Sequence, residues 1–223
     1  MANHIRVTIE IGPKGKKVAV VAPDWPGLER GATTREAAIE RLLSYVPRYA
    51  AVAKLAGMEE AFANLTAAEV IEQYQGTGST DFWGISFAFS SIDQQALSGE
   101  ALERELSLMQ ACWAFFDEVS SRVSAEMQRG PRGGGRDRDQ MISHTFAAEL
   151  DWARKLDVRT PLEAMLTDEG RNAHRDAYCN TIRELHSQGK MARTWPLRYL
   201  IRHTAFHTLD HAWEMEDKDL SVK

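Results

Sequence analysis

Cysteine is scarce in this chain: Cys112 and Cys179 are the only two among 223 residues. Two isolated cysteines make neither a Cys-x-x-Cys metal or redox pair nor a disulfide framework. Each lies in a helix-like run beside an aromatic residue, Trp113 or Tyr178. Both read as small buried side chains of a reduced, cytoplasmic protein. Long apolar runs are missing too: none approaches the roughly 18 residues of a membrane span. The N-terminus lacks the charged-then-apolar pattern of a signal peptide. There is no surplus of positive charge, the formal net charge being −5. Neither nucleic acid nor a membrane is therefore expected as a partner. Several catalytic motifs are also absent. Gly12-Pro13-Lys14-Gly15-Lys16-Lys17 has no Gly-Lys-Ser/Thr ending and reads as a turn, not a P-loop. No Gly-x-Ser-x-Gly elbow is present. The helical half has no Glu-x-x-His, which argues against a di-iron carboxylate site.

What the chain does contain falls into two regimes. Ile5 to Ile11 alternates apolar and polar residues, the period of a half-buried strand, and Lys17 to Ala22 follows as a second strand, so the pair predicts a hairpin. Pro23-Asp24-Trp25-Pro26-Gly27 breaks regular structure. Thr33 stands three residues before Glu36, a capping-box spacing that opens a helix running towards Pro47; Thr66 and Glu69 repeat the signal for another. Phe82 to Phe89 is rich in aromatics and reads as a strand completing a small sheet.

From residue 99 onward the pattern is helical. Leu102, Leu106, Met109, Trp113, Phe116, Val123 and Met127 recur at helical steps, marking a long amphipathic helix over Glu100–Met127. Arg129–Asp139, rich in glycine and arginine, is a loop. Helices are expected from about Asp137 to Leu156, from about Arg171 to His186, and from Trp195-Pro196 to Asp217. A short helix opens at Thr160-Pro161-Leu162-Glu163, with Pro at the first helical position. The expected fold class is α+β: a small N-terminal β-hairpin/helix domain over residues 1–98, then an all-α four-helix bundle over 99–223.

Seven histidines are present, and His203, His207 and His211 stand at four-residue intervals. Side chains four apart share a helix face, about 6 Å from one another, and two imidazoles so placed can converge on one metal. His203 and His211 are separated by roughly 12 Å of helix rise, too far to share an ion. The pair is thus His203/His207 or His207/His211. Leu197, Leu200, Ile201, Ala205, Leu209, Ala212 and Met215 mark the apolar side, with His211 at its edge and His203 in the polar arc near Asp210 and Glu214. Periodicity favours His207/His211.

The segment His207-Thr-Leu-Asp-His211-Ala-Trp-Glu-Met-Glu-Asp resembles the last-helix motif of DinB/YfiT-like metal-dependent four-helix bundles. The resemblance covers residues 99–223. It implies a third ligand from an earlier helix, which maps onto His144 in Ser143-His144-Thr145-Phe146-Ala147-Ala148-Glu149. The stripe Ile142, Phe146, Leu150 and Ala153 by itself puts His144 on the other side of that helix. The resemblance also implies a divalent ion, Zn or Ni, and a small-molecule substrate or thiol as partner. A homodimer is compatible with such a fold. More faintly, Asp24-Trp25-Pro26-Gly27-Leu28, followed by Gly31-Ala32-Thr33 and a capped helix, resembles the HicB-type small α/β module. Asp210 or Glu214 could orient an imidazole, and Arg132, Arg136 and Arg138 could bind an anion over the metal.

Two functions follow as expectations. One is a metal-dependent, thiol-using transferase or isomerase/hydrolase. The other is a non-enzymatic binding or regulatory module with a structural metal. A fourth protein ligand, His203 or Glu214, would favour the second.

Overall fold

The computed structural model describes residues 3–130 and 134–221. The chain is α+β, with a four-stranded mixed sheet near its N-terminus and helices after it. Strands β1 (Asn3–Ile11) and β2 (Val18–Val21) form the expected antiparallel hairpin, pairing Ile11 with Val18. Gly15 turns it at φ 61°, a backbone region open to glycine. β3 (Glu29–Ala32) was not anticipated. The Pro-rich stretch before it is itself a tight reversal that lays Glu29 opposite Val21.

Helix α1 (Arg35–Leu55) is capped by Thr34, one residue later than expected, and continues past Pro47. Its inward face stays apolar beyond the proline. Tyr49, Val52 and Ala53 are buried, and the Tyr49 hydroxyl donates to Pro26 O at 2.7 Å. That packing outweighs the single helix bond a proline removes. After the short α2 (Glu59–Phe62) comes β4 (Leu65–Gln75), where Thr66 and Glu69 had suggested a helix. β4 pairs in parallel along all of β1, from Asn3–Leu65 to Ile11–Gln75. The sheet order is β3-β2-β1-β4. Val70, Ile71 and Tyr74 suit a strand, and the waiting edge of β1 overrides the local capping signal.

Phe82–Phe89 is not a strand. Its first residues end helix α3 (Gly78–Trp83), which Gly84 closes at φ 72°. The backbone N–H groups that a strand would have paired go instead to buried carboxylates. Ser86 N donates to Glu29 Oε1 (2.6 Å), Phe87 N to both oxygens of Glu10 (3.0 and 3.1 Å), and Ala88 N to Glu10 Oε2 (3.0 Å). β1 is therefore not half-buried along its whole length. Thr8 and Glu10 on its polar face are as enclosed as Val7 and Ile9 on the other.

The second half contains α4 (Gly99–Arg122), α5 (Arg138–Ala153), α6 (Leu162–Met165), α7 (Asp168–Ser187) and α8 (Leu197–Lys218), with a 3-10 turn at Arg154–Leu156. α6 is preceded by Pro161 in extended backbone and has no side-chain cap. α8 packs along α4 and against α5, and α1 leans on α4. α7 is tied in by Trp113 against Tyr178 (5.6 Å between rings), by Tyr178 to Thr204 (2.9 Å), and by Arg175 to Asp117 (2.6 Å). Buried apolar side chains from both halves form one continuous cluster. No helix among the described residues is long and apolar enough to cross a membrane.

A buried polar knot joins α8 to the sheet. The Arg202 guanidinium donates to both oxygens of Asp93 at 2.7 Å, and its Nη1 stands 3.6 Å from Glu29 Oε2. Burial pushes Glu29 up to about 8, against the opposing pull of Arg202 and the Ser86 N–H. A carboxyl raised on folding from 4.5 to about 8 stabilises the fold fully below the lower value and progressively less as pH rises through the upper one. Between about pH 6 and about pH 9 in urea, Glu29→Gln is expected to lose less stability than wild type, by a few kcal/mol at the upper end. Parallel pH profiles for the two proteins would show that Glu29 does not take up a proton on folding.

Candidate metal centre

Helix α8 supplies two of the three imidazoles. Its expected apolar face is buried as a unit, from Leu197 through Leu209 to Met215. Tyr199, Arg202, His203, Thr204, Phe206, Thr208 and Trp213 are buried as well, so this helix has almost no solvated arc near its middle. His203 does not lie in a polar arc. Its ring stacks on Tyr199 (5.2 Å, 15° between planes) and meets the edges of Trp152 (4.9 Å) and Trp195 (5.7 Å). Burial, reinforced by neighbouring Arg202, lowers its pKa to about 3, so it is neutral in the fold.

His207 and His211 face the same way one turn further on, their rings 4.5 Å apart. His144 of α5 joins them, 5.2 Å from His207 and 4.9 Å from His211. One potential ligand atom from each of the three lies within 4.8 Å of the other two. The apolar stripe read on α5 misjudged the helix because two inward positions are polar. Met141, Thr145 and Glu149 are buried beside Phe146 and Ala153 of the stripe, while Ile142 and Leu150 are only partly covered. With those residues inward, His144 and Trp152 flank the approach to α8.

The electrostatics suit metal ligation, which needs neutral imidazoles. Burial depresses the pKa of His144, helped by Arg136 and His211. Burial and the two other rings hold His207 far below the usual histidine range. His207 Nδ1 is buried with no hydrogen-bond partner among the described residues, an orphaned ring nitrogen beside two other imidazoles. Glu214 stands 2.9 Å from His211 Nδ1. Held by that Nδ1–H and by Lys218, its carboxyl falls to about 2. A proton kept on Nδ1 leaves Nε2 as the free lone pair of His211, the usual arrangement behind a metal-bound histidine.

Other expected participants lie elsewhere. Asp210 pairs with Arg30 at 3.1 Å and not with an imidazole. Glu149, noted beside His144 in the sequence, accepts from Arg175 Nε (3.2 Å) and sits 3.7 Å from His174. Arg138 is engaged by Asp139 at 2.8 Å, Arg136 acts on His144 only through its charge, and Arg132 lies outside the described residues. Trp152 was not singled out from the sequence, yet its ring stands 5.0 Å from His207 and 4.9 Å from His203, touching both. Its spacing of eight from His144, two turns on one face, was the available signal.

No protein-family model, no curated protein and no solved structure matches this chain. What the fold and site define by themselves is an α+β chain with a three-imidazole group built from two of its long helices.

Proposed function

We propose that the chain is a divalent-metal-binding protein of the DinB/YfiT-like type, α4, α5, α7 and α8 forming the bundle and His144, His207 and His211 holding the ion. The observation that carries the reading is the convergence of three imidazoles from α5 and α8, with one ligand atom from each within 4.8 Å of the others. Zn or Ni suits an all-imidazole set.

The same arrangement favours the enzymatic reading, a thiol-using transferase or isomerase/hydrolase, over a purely structural metal. Structural sites are closed by a fourth protein ligand, whereas catalytic ones keep a position open. Neither proposed fourth ligand is free for the role. Glu214 is engaged by His211 and Lys218, and His203 is packed among the rings of Tyr199, Trp152 and Trp195. A divalent ion at such a site supplies acidity to a bound thiol or water, bringing its pKa towards neutrality. The protein's part is to hold His144 and His207 neutral by burial, to orient the His211 ring through Glu214, and to line the site with Trp152. The cytoplasm is the compartment we assign, supported by two buried, free thiols. A HicB-like character for the N-terminal module is part of the same proposal, supported by its β-β-β-α-α-β order.

Elemental analysis of the purified full chain tests the reading. About one equivalent of Zn or Ni per chain is expected, removable by chelator and restored on adding metal back. A protein that neither retains nor takes up a divalent ion would end the proposal.

A further inference from the structure

A second site lies on the adjoining face of α8. Phe206 and Asp210, each one residue before a histidine of the triad, line a cavity of about 370 Å³ together with Lys17, Arg30, Arg41 and Trp83. Three of these side chains are cations, and each is fastened to a backbone carbonyl. Lys17 Nζ donates to Phe82 O (2.6 Å), Arg30 Nη1 to Glu29 O (2.7 Å) and Arg41 Nη1 to Gly31 O (3.0 Å). A carbonyl neutralises nothing, and it leaves the other donors of a guanidinium or ammonium group unused.

Arg30 is the most informative of the three. Its side chain is 4% exposed, and its guanidinium is clamped between the rings of Tyr45 (3.6 Å) and Trp213 (4.4 Å). Its Nε is buried without a hydrogen-bond partner among the described residues. Among the described residues, Asp210 is the one carboxylate that meets it directly. Glu29 also borders the cavity, but its proton, retained up to about pH 8 by burial, leaves Asp210 alone against the three cations of the lining at neutrality. Asp210 meets the Arg30 guanidinium at Nη1 alone, and leaving its buried Nε unpaired is costly.

The rim carries a second, separate feature. Phe82 and Trp83 are 67% and 61% exposed, packed edge to face on one another at 4.6 Å. They are not loose, because Asp81 next to them accepts the N–H groups of Lys14 (2.7 Å) and Lys16 (2.8 Å), bolting α3 to the β1–β2 turn. Two large apolar rings held rigidly in solvent beside a cationic cavity offer a stacking surface.

We propose that this cavity binds a small aromatic oxyanion, a flat molecule bearing a carboxylate or phosphate, with its anionic group on Lys17, Arg30 and Arg41 and its ring against Trp83. Arginine forks match either oxyanion, and such charge-assisted hydrogen bonds are the strong ones. The site stands apart from the metal-centre reading and needs no ion in it.

Calorimetric titration of the full-length protein at low salt, with phenyl phosphate, benzoate and inorganic phosphate as probes, tests the assignment. One saturable site is expected for phenyl phosphate or for benzoate, and which of them binds tighter identifies the anionic group. Arg41→Gln and Lys17→Gln, both at the rim, should each weaken that probe about tenfold. Trp83→Ala should weaken the aromatic probe while leaving any inorganic phosphate binding unchanged. His207→Ala should change none of these affinities. Absence of saturable binding by all three probes overturns the proposal. So do affinities unmoved by both cation variants, and binding abolished by His207→Ala, which would put the anion at the imidazoles instead.

Discussion

A His207→Ala variant is expected to bind divalent metal at least about a hundredfold more weakly than wild type, more than is usually lost when only a residue orienting a ligand is removed. The reason is geometric. His207 is the nearest neighbour of His211, at 4.5 Å between rings, and also faces His144, so without it one histidine from each helix remains. Glu214→Gln makes a graded comparison. It keeps an acceptor near His211 Nδ1 but loses the charge, and about a 10–100-fold weakening is expected. His203→Phe should keep the metal in full, because the ring it replaces stacks on Tyr199, packs against Trp152 and is not one of the three converging imidazoles. Equilibrium titration against a competing chelator reads all three variants. Equal affinity in His207→Ala and wild type would remove His207 from the centre, and a loss in His203→Phe as large as in His207→Ala would place the ion elsewhere on α8.

The largest effect on stability is expected at Arg202. Replacing it with methionine should cost about 3–5 kcal/mol of unfolding free energy, the usual penalty for stripping one partner from a buried ion pair. Its loss leaves Asp93, enclosed and anionic because of Arg202, without a countercharge, and removes the nearest cation from Glu29. It also severs the bonds from α8 to Ser86 Oγ (3.2 Å) and Ala88 O (3.4 Å), in the segment whose amides Glu10 and Glu29 already hold. The contrast is with a pair such as Arg154 and Asp151, both 68% exposed, where the same surgery is worth at most about 1 kcal/mol. Urea unfolding measures both. A loss at Arg202 no larger than at Arg154 would mean that the knot between helix and sheet is solvated.

The departures from the sequence reading share a cause. Thr66 and Glu69 carry a genuine helix-start signal, and Phe82–Phe89 has the composition of a strand. In each case the outcome was set by a partner far away in the chain, β1 for the first and the carboxylates of Glu10 and Glu29 for the second. Local propensities are worth fractions of a kcal/mol per residue and give way to long-range pairing. The face of α5 was misplaced for a related reason, since periodicity counts apolar residues and two of the inward positions are Thr145 and Glu149.

By itself the sequence determined the β1–β2 hairpin, the helices of the second half to within a few residues at most ends, and the shared face of His207 and His211. These are consequences of short-range geometry, a period of two or of 3.6 and a turn's need for glycine. Tertiary structure decided that α8 is enclosed on nearly every side, that His203 is sealed among aromatic rings, that His144 turns towards the other two, and that Arg30, Lys17 and Arg41 line one cavity. Each of these depends on which surfaces of separate elements lie against one another in the folded chain, and spacing along a single helix carries no record of that.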